Sequence, residues 1–516
     1  MIRYVGLPIN PRSSKALKTW LYKADRRTKV RQVLWGDWLN VVLEEGDGWS
    51  RVLWSPNRDP ETLFIPTAHT TLQRPLEIIF VDVGQGDGAI LISPEAGGDE
   101  KIIVIDAGER WNMKAFLRRR FSYRGYHFHA AVITHPDKDH YFGFRDIFAD
   151  PNFGFDTIYH SGLVERPVSG DYSKLKGKKR DPSTGMSYVS DLAIDSDDIN
   201  QIFADGPAIK RYDFPKVMNA AVNNPSVNEF QILSTAHGTI EGERSYLPGF
   251  APSDDHEYSI EVLGPVMEFD GAGKPRLRVF KYVKAETGRL NTAGYSEVKN
   301  GHSVLLRLRY GKCRVLFGGD LNLAAEQFIL THYSDQNSWP HENPDRTKAL
   351  IEQARTRLES EVFKVCHHGS ADVTSEFLRA VNAEAFVLSS GDEKGHIHPR
   401  PDLLGLLGKT GRSERPVILS TELQRATREA EDEEIATGLA IDINRMMSEP
   451  SETLRDDLIA RVMDLGGSNV TRYGAIYLKT DGDNLITAFR TELDDPTDKW
   501  FFYQFHLADD GSLNNV

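Results

Sequence analysis

At 516 residues the chain is too long for one ordinary domain, and its 40% hydrophobic content can support a sizeable core. Its apolar runs are strand-sized, short of the ~18 residues of a bilayer span, and residues 1–18 lack the continuous apolar stretch of a signal peptide. With two cysteines, Cys313 and Cys366, both in apolar runs, the pattern excludes a disulfide-built secreted fold and a membrane protein and leads to the expectation of a cytoplasmic chain.

In chain order, residues 1–74 form a first unit that is β-rich from 28 to 72. Apolar alternation over 30–34 and 36–43, the turn Gly46-Asp47-Gly48, and a run over 49–54 predict short strands. Trp35, Trp38, Trp49 and Trp54 are divided between core and a binding surface. From residue 75 to 420 the rhythm changes to apolar runs that end in polar or glycine-rich turns. These turns are Val81-Asp82-Val83-Gly84-Gln85-Gly86-Asp87-Gly88, then Asp106, then Thr134-His135-Pro136-Asp137-Lys138-Asp139-His140, and Tyr159-His160-Ser161-Gly162. Residues 164–257 are rich in Gly, Pro, Asp and Ser and too long for an ordinary loop, so an inserted cap beside a cleft is expected there. The series resumes with Asn300-Gly301-His302-Ser303, Gly318-Gly319-Asp320, Cys366-His367-His368-Gly369-Ser370 and Gly395-His396-Ile397-His398-Pro399. Helices are predicted over 323–333 and 347–358. A last unit, 421–516, combines a charged helix over 431–465 with a hairpin around Asp481-Gly482-Asp483-Asn484 and an aromatic strand over 500–506; these strands complete or flank the preceding domain.

Residues 135–140 are the most informative. They put four potential metal ligands into six residues at the end of an apolar run. His, Asp, Asp and His offer the imidazole–carboxylate mix suited to a two-metal hydrolytic centre. Two cations about 4 Å apart can lower the pKa of a shared water and polarise a phosphoryl oxygen, and several carboxylates are needed to offset their charge.

Taken in order, DVGQGD, HxDxDH, NxxS, the Gly-Asp strand end and HHGS resemble the metallo-β-lactamase superfamily. Within it the likeness is to the hydrolase domain of ComEC-type DNA-uptake proteins and their soluble relatives, over about residues 77–407. The resemblance implies an α/β fold, the αββα sandwich of that superfamily. The Gly-Asp, Gly-Trp and Val rhythm near the N-terminus resembles a bacterial SH3-type small β-barrel. For the metals, the superfamily implies that His135 and Asp137 hold one divalent ion and Asp139 and His140 the other, with Asp320 bridging them and His367 closing the second site. Asp137 stands where a His is common, which makes the first site harder, so Zn and Mn are both open. His302 inside the NxxS segment and GHIHP in place of GHPHP are departures, and the second leaves open which of His396 and His398 faces the site.

Beyond the ligands, Asp139, His368, Ser370 and His398 are the candidates for catalysis; His368 and Ser370 suit a substrate phosphate or a proton for the leaving oxygen. Asp82, Asp87 and Asp106 either orient imidazoles or serve their turns, and His160 and His396 are further candidate imidazoles. Net charge −13 requires a local basic surface for any nucleic-acid partner. Lys174, Lys176, Lys178, Lys179 and Arg180 offer one, and residues 118–120 another. The expected activity is a metal-dependent phosphodiesterase or nuclease acting on DNA. The alternatives are hydrolysis of a cyclic nucleotide, phosphoester, lactone or β-lactam, and an effector of a multi-protein defence system held by a protein partner through the SH3-like module or the C-terminal region.

Overall fold

The computed structural model describes every residue except 55–59, 96, 123, 255, 285–286, 335, 341, 392–397, 422–427, 456–457, 460–473, 492–494, 509–512 and 516. It is a mixed α/β chain built on three large sheets. No described helix is long and apolar enough to cross a membrane.

The first sheet has seven strands, including Lys29–Val33, Trp38–Glu45, Trp49–Trp54 and Glu61–Pro66, and surrounds a core of Val5, Leu21, Val33, Leu39, Val41, Val52, Leu63 and Ile65. Period-two alternation sends Leu39 and Val41 inward and leaves Trp38 outside. Trp35 is the buried indole of the four, and it packs into the neighbouring sheet's core rather than its own.

The same period-two rule builds the larger body. In the strand Leu76–Phe80, Leu76, Ile78 and Phe80 enter one core and Ile79 another; in Ile102–Ile105, Ile103 and Ile105 part from Ile102 and Val104 in the same way. The second large sheet repeats this, with Leu306 and Leu308 joining the shared core and Leu305 facing away. A ten-stranded and an eight-stranded sheet thus share one apolar interior, and each covers its other face with helices. Asn112–Phe121, Phe144–Phe148, Ser196–Phe203 and Asp213–Val222 cover the first; Leu323–His332, Pro344–Leu358, Ser375–Val381 and Pro401–Thr410 cover the second. Each fully buried Leu, Ile, Val or Phe in these layers contributes roughly 1.5–3 kcal/mol. Helix 344–358 begins earlier than predicted because Asn343 accepts a hydrogen from Arg346 N, 3.1 Å away, and Pro344 occupies the first turn.

The stretch 164–257, expected as an inserted cap, is instead woven into both sheets. Val227–Ile232 runs parallel beside Phe153–His160 at the edge of the ten-stranded sheet, and Arg244–Tyr246 pairs with Tyr258–Gly264 in the eight-stranded one. Its helices bury Ile199, Phe203, Phe214, Val217 and Met218. Edge strands and single-faced helices need few apolar residues, so the polar composition of the stretch conceals them. At the far end of the chain, Ile476–Thr480 pairs with Leu76–Phe80, and the strands Asn484–Arg490 and Trp500–Leu507 follow it in the same sheet. The helix Arg428–Ser448 occupies part of the predicted charged helical stretch.

Candidate metal centre

Strand ends and the turns after them deliver the polar residues to one place. After Tyr126–Ile133 the chain turns at Thr134 and His135, and Asp137 then caps the short helix Lys138–Tyr141, its carboxylate accepting from Lys138 N at 3.0 Å. That turn of helix presents Asp139 and His140. The glycine turn packs directly on it, because Asp87 N donates to Asp139 O at 3.2 Å. Gly86 has φ +115°, and a Cβ there would lie 1.9 Å from Asp139 O, so no side chain fits.

At the centre, Asp87, His140, Asp320 and His368 bring ligand atoms within 4.8 Å of one another, all four buried, in an arrangement that could hold a metal ion. Each imidazole is held from behind. His140 Nδ1 lies 2.8 Å from Asp106 Oδ2, and Asp106 is fixed by Thr134 N at 2.9 Å and Thr134 Oγ at 2.6 Å. His368 Nδ1 lies 3.1 Å from both Asp87 Oδ1 and the Ser389 carbonyl. Both Nε2 atoms point into the cluster: His140 Nε2 is 3.1 Å from Asp320 Oδ1, and His368 Nε2 is 3.3 Å from both Asp320 Oδ2 and Asp139 Oδ2. A carboxylate on the far nitrogen is how a protein fixes the tautomer of a metal-binding histidine.

His135 shows the same preparation. Ser303 gives its hydroxyl hydrogen to Asn300 O at 2.7 Å and accepts from Asp320 N at 3.1 Å, so His135 Nδ1, 3.2 Å from Ser303 Oγ, is the donor in that contact. His135 Nε2 is then a lone pair, fully buried, with no hydrogen-bond partner among the described residues, 3.9 Å from Asp320 Oδ2. An orphaned buried nitrogen aimed at a buried carboxylate fits a cation between them. The donors are all nitrogen and oxygen, which suits Zn or Mn.

Charge follows this geometry. Burial works against the charged form of His140 and His368, yet the Asp320 carboxylate, with Asp106 and Asp87, outweighs it and raises both pKa values well above the usual range. Burial and the neighbouring His140 lower that of His135. Burial would raise Asp320, but His140, His368 and His367 hold it well below the ordinary carboxylate range; Asp139 is lowered chiefly by His368 against burial. Asp87 Oδ2 is ion-paired with buried Lys364, which makes Asp87 the support of His368 rather than a free ligand. Three side chains of the centre sit on left-handed backbone, Asp106 (φ 54°), His367 (φ 49°) and His368 (φ 54°), strain of the kind that clusters at functional sites.

The other predicted residues have these surroundings. His367 Nε2 is 4.0 Å from Asp320 Oδ2, with its side chain 31% exposed, and its ring centroid is 6.1 Å from that of His398. Asp137 turns to Lys299 Nζ at 3.3 Å. Asp82 Oδ1 accepts from Gly84 N at 3.1 Å and so serves the glycine turn. His160, paired in register with Ile133, accepts from Gly162 N at 3.1 Å, and burial lowers its pKa to about 4. Ser370 Oγ accepts from Asp372 N at 3.2 Å. His396 lies outside the described residues. In the cation run, Lys174 pairs with Glu165 at 3.3 Å and Lys176 with Asp191 at 3.3 Å, Lys178 lies over the Tyr172 ring at 4.3 Å, and Lys179 and Arg180 form an exposed strand. In residues 118–120, Arg118 is held by Asp150 and Arg120 by Glu77.

Sequence reading missed Lys364, Lys299 and Ser389 as parts of the site, and gave Ser303 no role beyond its place in the NxxS segment. Of the three, Lys364 carried a signal, a lysine inside the apolar run Val362-Phe363-Lys364-Val365. No family model matches this chain, and no curated protein matches it, so the chemistry of the centre rests on its own geometry.

Proposed function

We propose that the chain is a metal-dependent hydrolase of the metallo-β-lactamase type, resembling the ComEC-type hydrolase domain, and that it cleaves phosphodiester bonds in DNA. The carrying observation is the pair of carboxylate-backed imidazoles, His140 on Asp106 and His368 on Asp87, with both Nε2 atoms converging on Asp320. The helix-covered pair of sheets supports the superfamily reading, and the N-terminal sheet with its own core supports an SH3-like module.

His135, Asp139, His140, Asp320 and His368, with His367 at the rim, are the residues that would hold two divalent cations, Zn or Mn. When bound, such a pair supplies a water of lowered pKa and polarises a phosphoryl oxygen. Asp106, Asp87 and Ser303 keep the imidazoles in the tautomers that expose Nε2. His367 and His398, on the more exposed side, are suited to giving a proton to the leaving oxygen. Lys178, Lys179 and Arg180 are the exposed cations available to a phosphate backbone.

A second reading, hydrolysis of a small phosphoester, is favoured by one observation: Lys174 and Lys176 are already engaged by Glu165 and Asp191. The deciding experiment is cleavage of end-labelled linear and circular DNA by metal-loaded protein in Mn, with Asp139→Asn as control. Degradation by wild type alone is expected. Turnover by the variant at the wild-type rate refutes the two-metal reading; no cleavage with metal bound moves the assignment to the small phosphoester.

A further inference from the structure

A second cleft opens where the N-terminal sheet meets the ten-stranded sheet, beside Tyr477 and Trp500 of its helix-covered face. Its volume is about 640 Å³, and no residue of the candidate metal centre lines it. Ligand pockets commonly hold ~300–1,000 Å³.

The walls are cationic and aromatic. Arg31 enters from the strand Lys29–Val33 and Arg490 from the strand Asn484–Arg490, with Trp38, Trp54 and Trp500 also in the lining. The two acidic groups among the described lining residues are engaged already. Glu77 is bound by Arg74 at 3.0 Å and Arg120 at 3.2 Å; Asp37 accepts from Leu34 N at 2.8 Å and lies 3.6 Å from Lys479. Arg31 and Arg490 form no carboxylate ion pair among the described residues. Each lies over an indole instead, Arg31 5.2 Å from the Trp54 ring and Arg490 5.3 Å from the Trp500 ring, and Arg490 Nε is buried with no hydrogen-bond partner among the described residues. Burial, then the like charge of Arg490, lowers the Arg31 pKa, and Asp37 offsets only part of this. Two half-buried guanidiniums that repel each other gain from a shared anion, and their planar forks match phosphate. Trp38, 46% exposed, offers an indole face on which a planar ring can stack.

We propose that this cleft binds a nucleotide, its phosphates between Arg31 and Arg490 and its base on Trp38. The volume of 640 Å³ is of the size of a small nucleotide rather than a strand. Occupancy would tie the N-terminal module to the C-terminal hairpin.

The test is calorimetric titration of the full chain with ATP, with EDTA present throughout so that cation-dependent binding at the metal centre is silent. One saturable site per chain is expected, weakened roughly tenfold by Arg490→Gln and by Trp38→Ala. Trp38 is exposed, so its loss spares the fold, and an unchanged melting temperature checks the arginine variant. No saturation, equal affinity in both variants, or equal affinity for tripolyphosphate overturns the proposal. Tighter binding of a thymidine dodecamer than of ATP overturns it in favour of single-strand binding.

Discussion

Asp106→Asn exchanges one oxygen for an NH₂ group at the back of His140. The carboxylate accepts from Thr134 N at 2.9 Å, Thr134 Oγ at 2.6 Å and His140 Nδ1 at 2.8 Å. An amide can keep the first bond with its oxygen, which turns its NH₂ toward His140 Nδ1. Two donors cannot face each other, so the imidazole moves its hydrogen to Nε2, the nitrogen 3.1 Å from Asp320 Oδ1. The lone pair that a cation needs is then gone. Loss of such a carboxylate partner typically weakens metal binding ~10–100-fold, about 1.4–2.7 kcal/mol. Asp106 is 1% exposed, so water cannot replace it, and the upper part of that range is expected. Competition against a chromogenic chelator, with Zn and with Mn, measures the change, and far-UV circular dichroism checks the fold. Affinity within about threefold of wild type would refute the tautomer argument and the assignment of His140 as a ligand.

Lys364→Met leaves Asp87 buried beside His368 without its ammonium partner; a loss of ~3–5 kcal/mol in urea unfolding is expected, and under ~1 kcal/mol would mean that His368 alone neutralises Asp87. Gly86→Ala should cost ~1–3 kcal/mol through backbone strain and also abolish metal-dependent turnover by pushing Asp139 aside. Gly97→Ala, also at positive φ but with open space around its Cβ, is the control that carries the strain alone. His302, its Nε2 donating to Arg278 O at 2.8 Å, is held neutral by burial, with its pKa lowered to about 4. The unfolded chain takes up that proton below its ordinary value of about 6.5 and the folded chain does not, so this stability is present above pH ~6.5 and is lost as pH falls toward ~4. His302 should account for a drop of up to ~3 kcal/mol in unfolding free energy across that window, and His302→Phe should lessen the slope by that share while His160, also lowered to about 4, keeps its own; an unchanged slope would refute the role of His302.

The centre was legible where chemistry is local. Residues 134–140, Asp106 and Asp320 each follow an apolar strand, and strand ends converge. The roles of His367 and His368 were not, because two successive left-handed residues break the alternation by which a strand tells inward from outward. The placing of Asp137 depended on Lys299, distant in sequence and hidden in a helix that ends just before Ser303. The strand Val227–Ile232 was concealed because an edge strand with burial on alternate residues reads like loop.

The pairing of Leu76–Phe80 with Ile476–Thr480 also bears on how the protein is made. The turn that carries Asp82 and Asp87 follows directly from the first of these strands, yet its neighbour on that side leaves the ribosome hundreds of residues later. Until then the strand has an open edge, the feature most prone to wrong pairing in nascent chains. Contacts so distant in sequence close late and slowly. A chain cut short before residue 476 would therefore carry the glycine turn of the metal centre on a strand whose edge is open on that side.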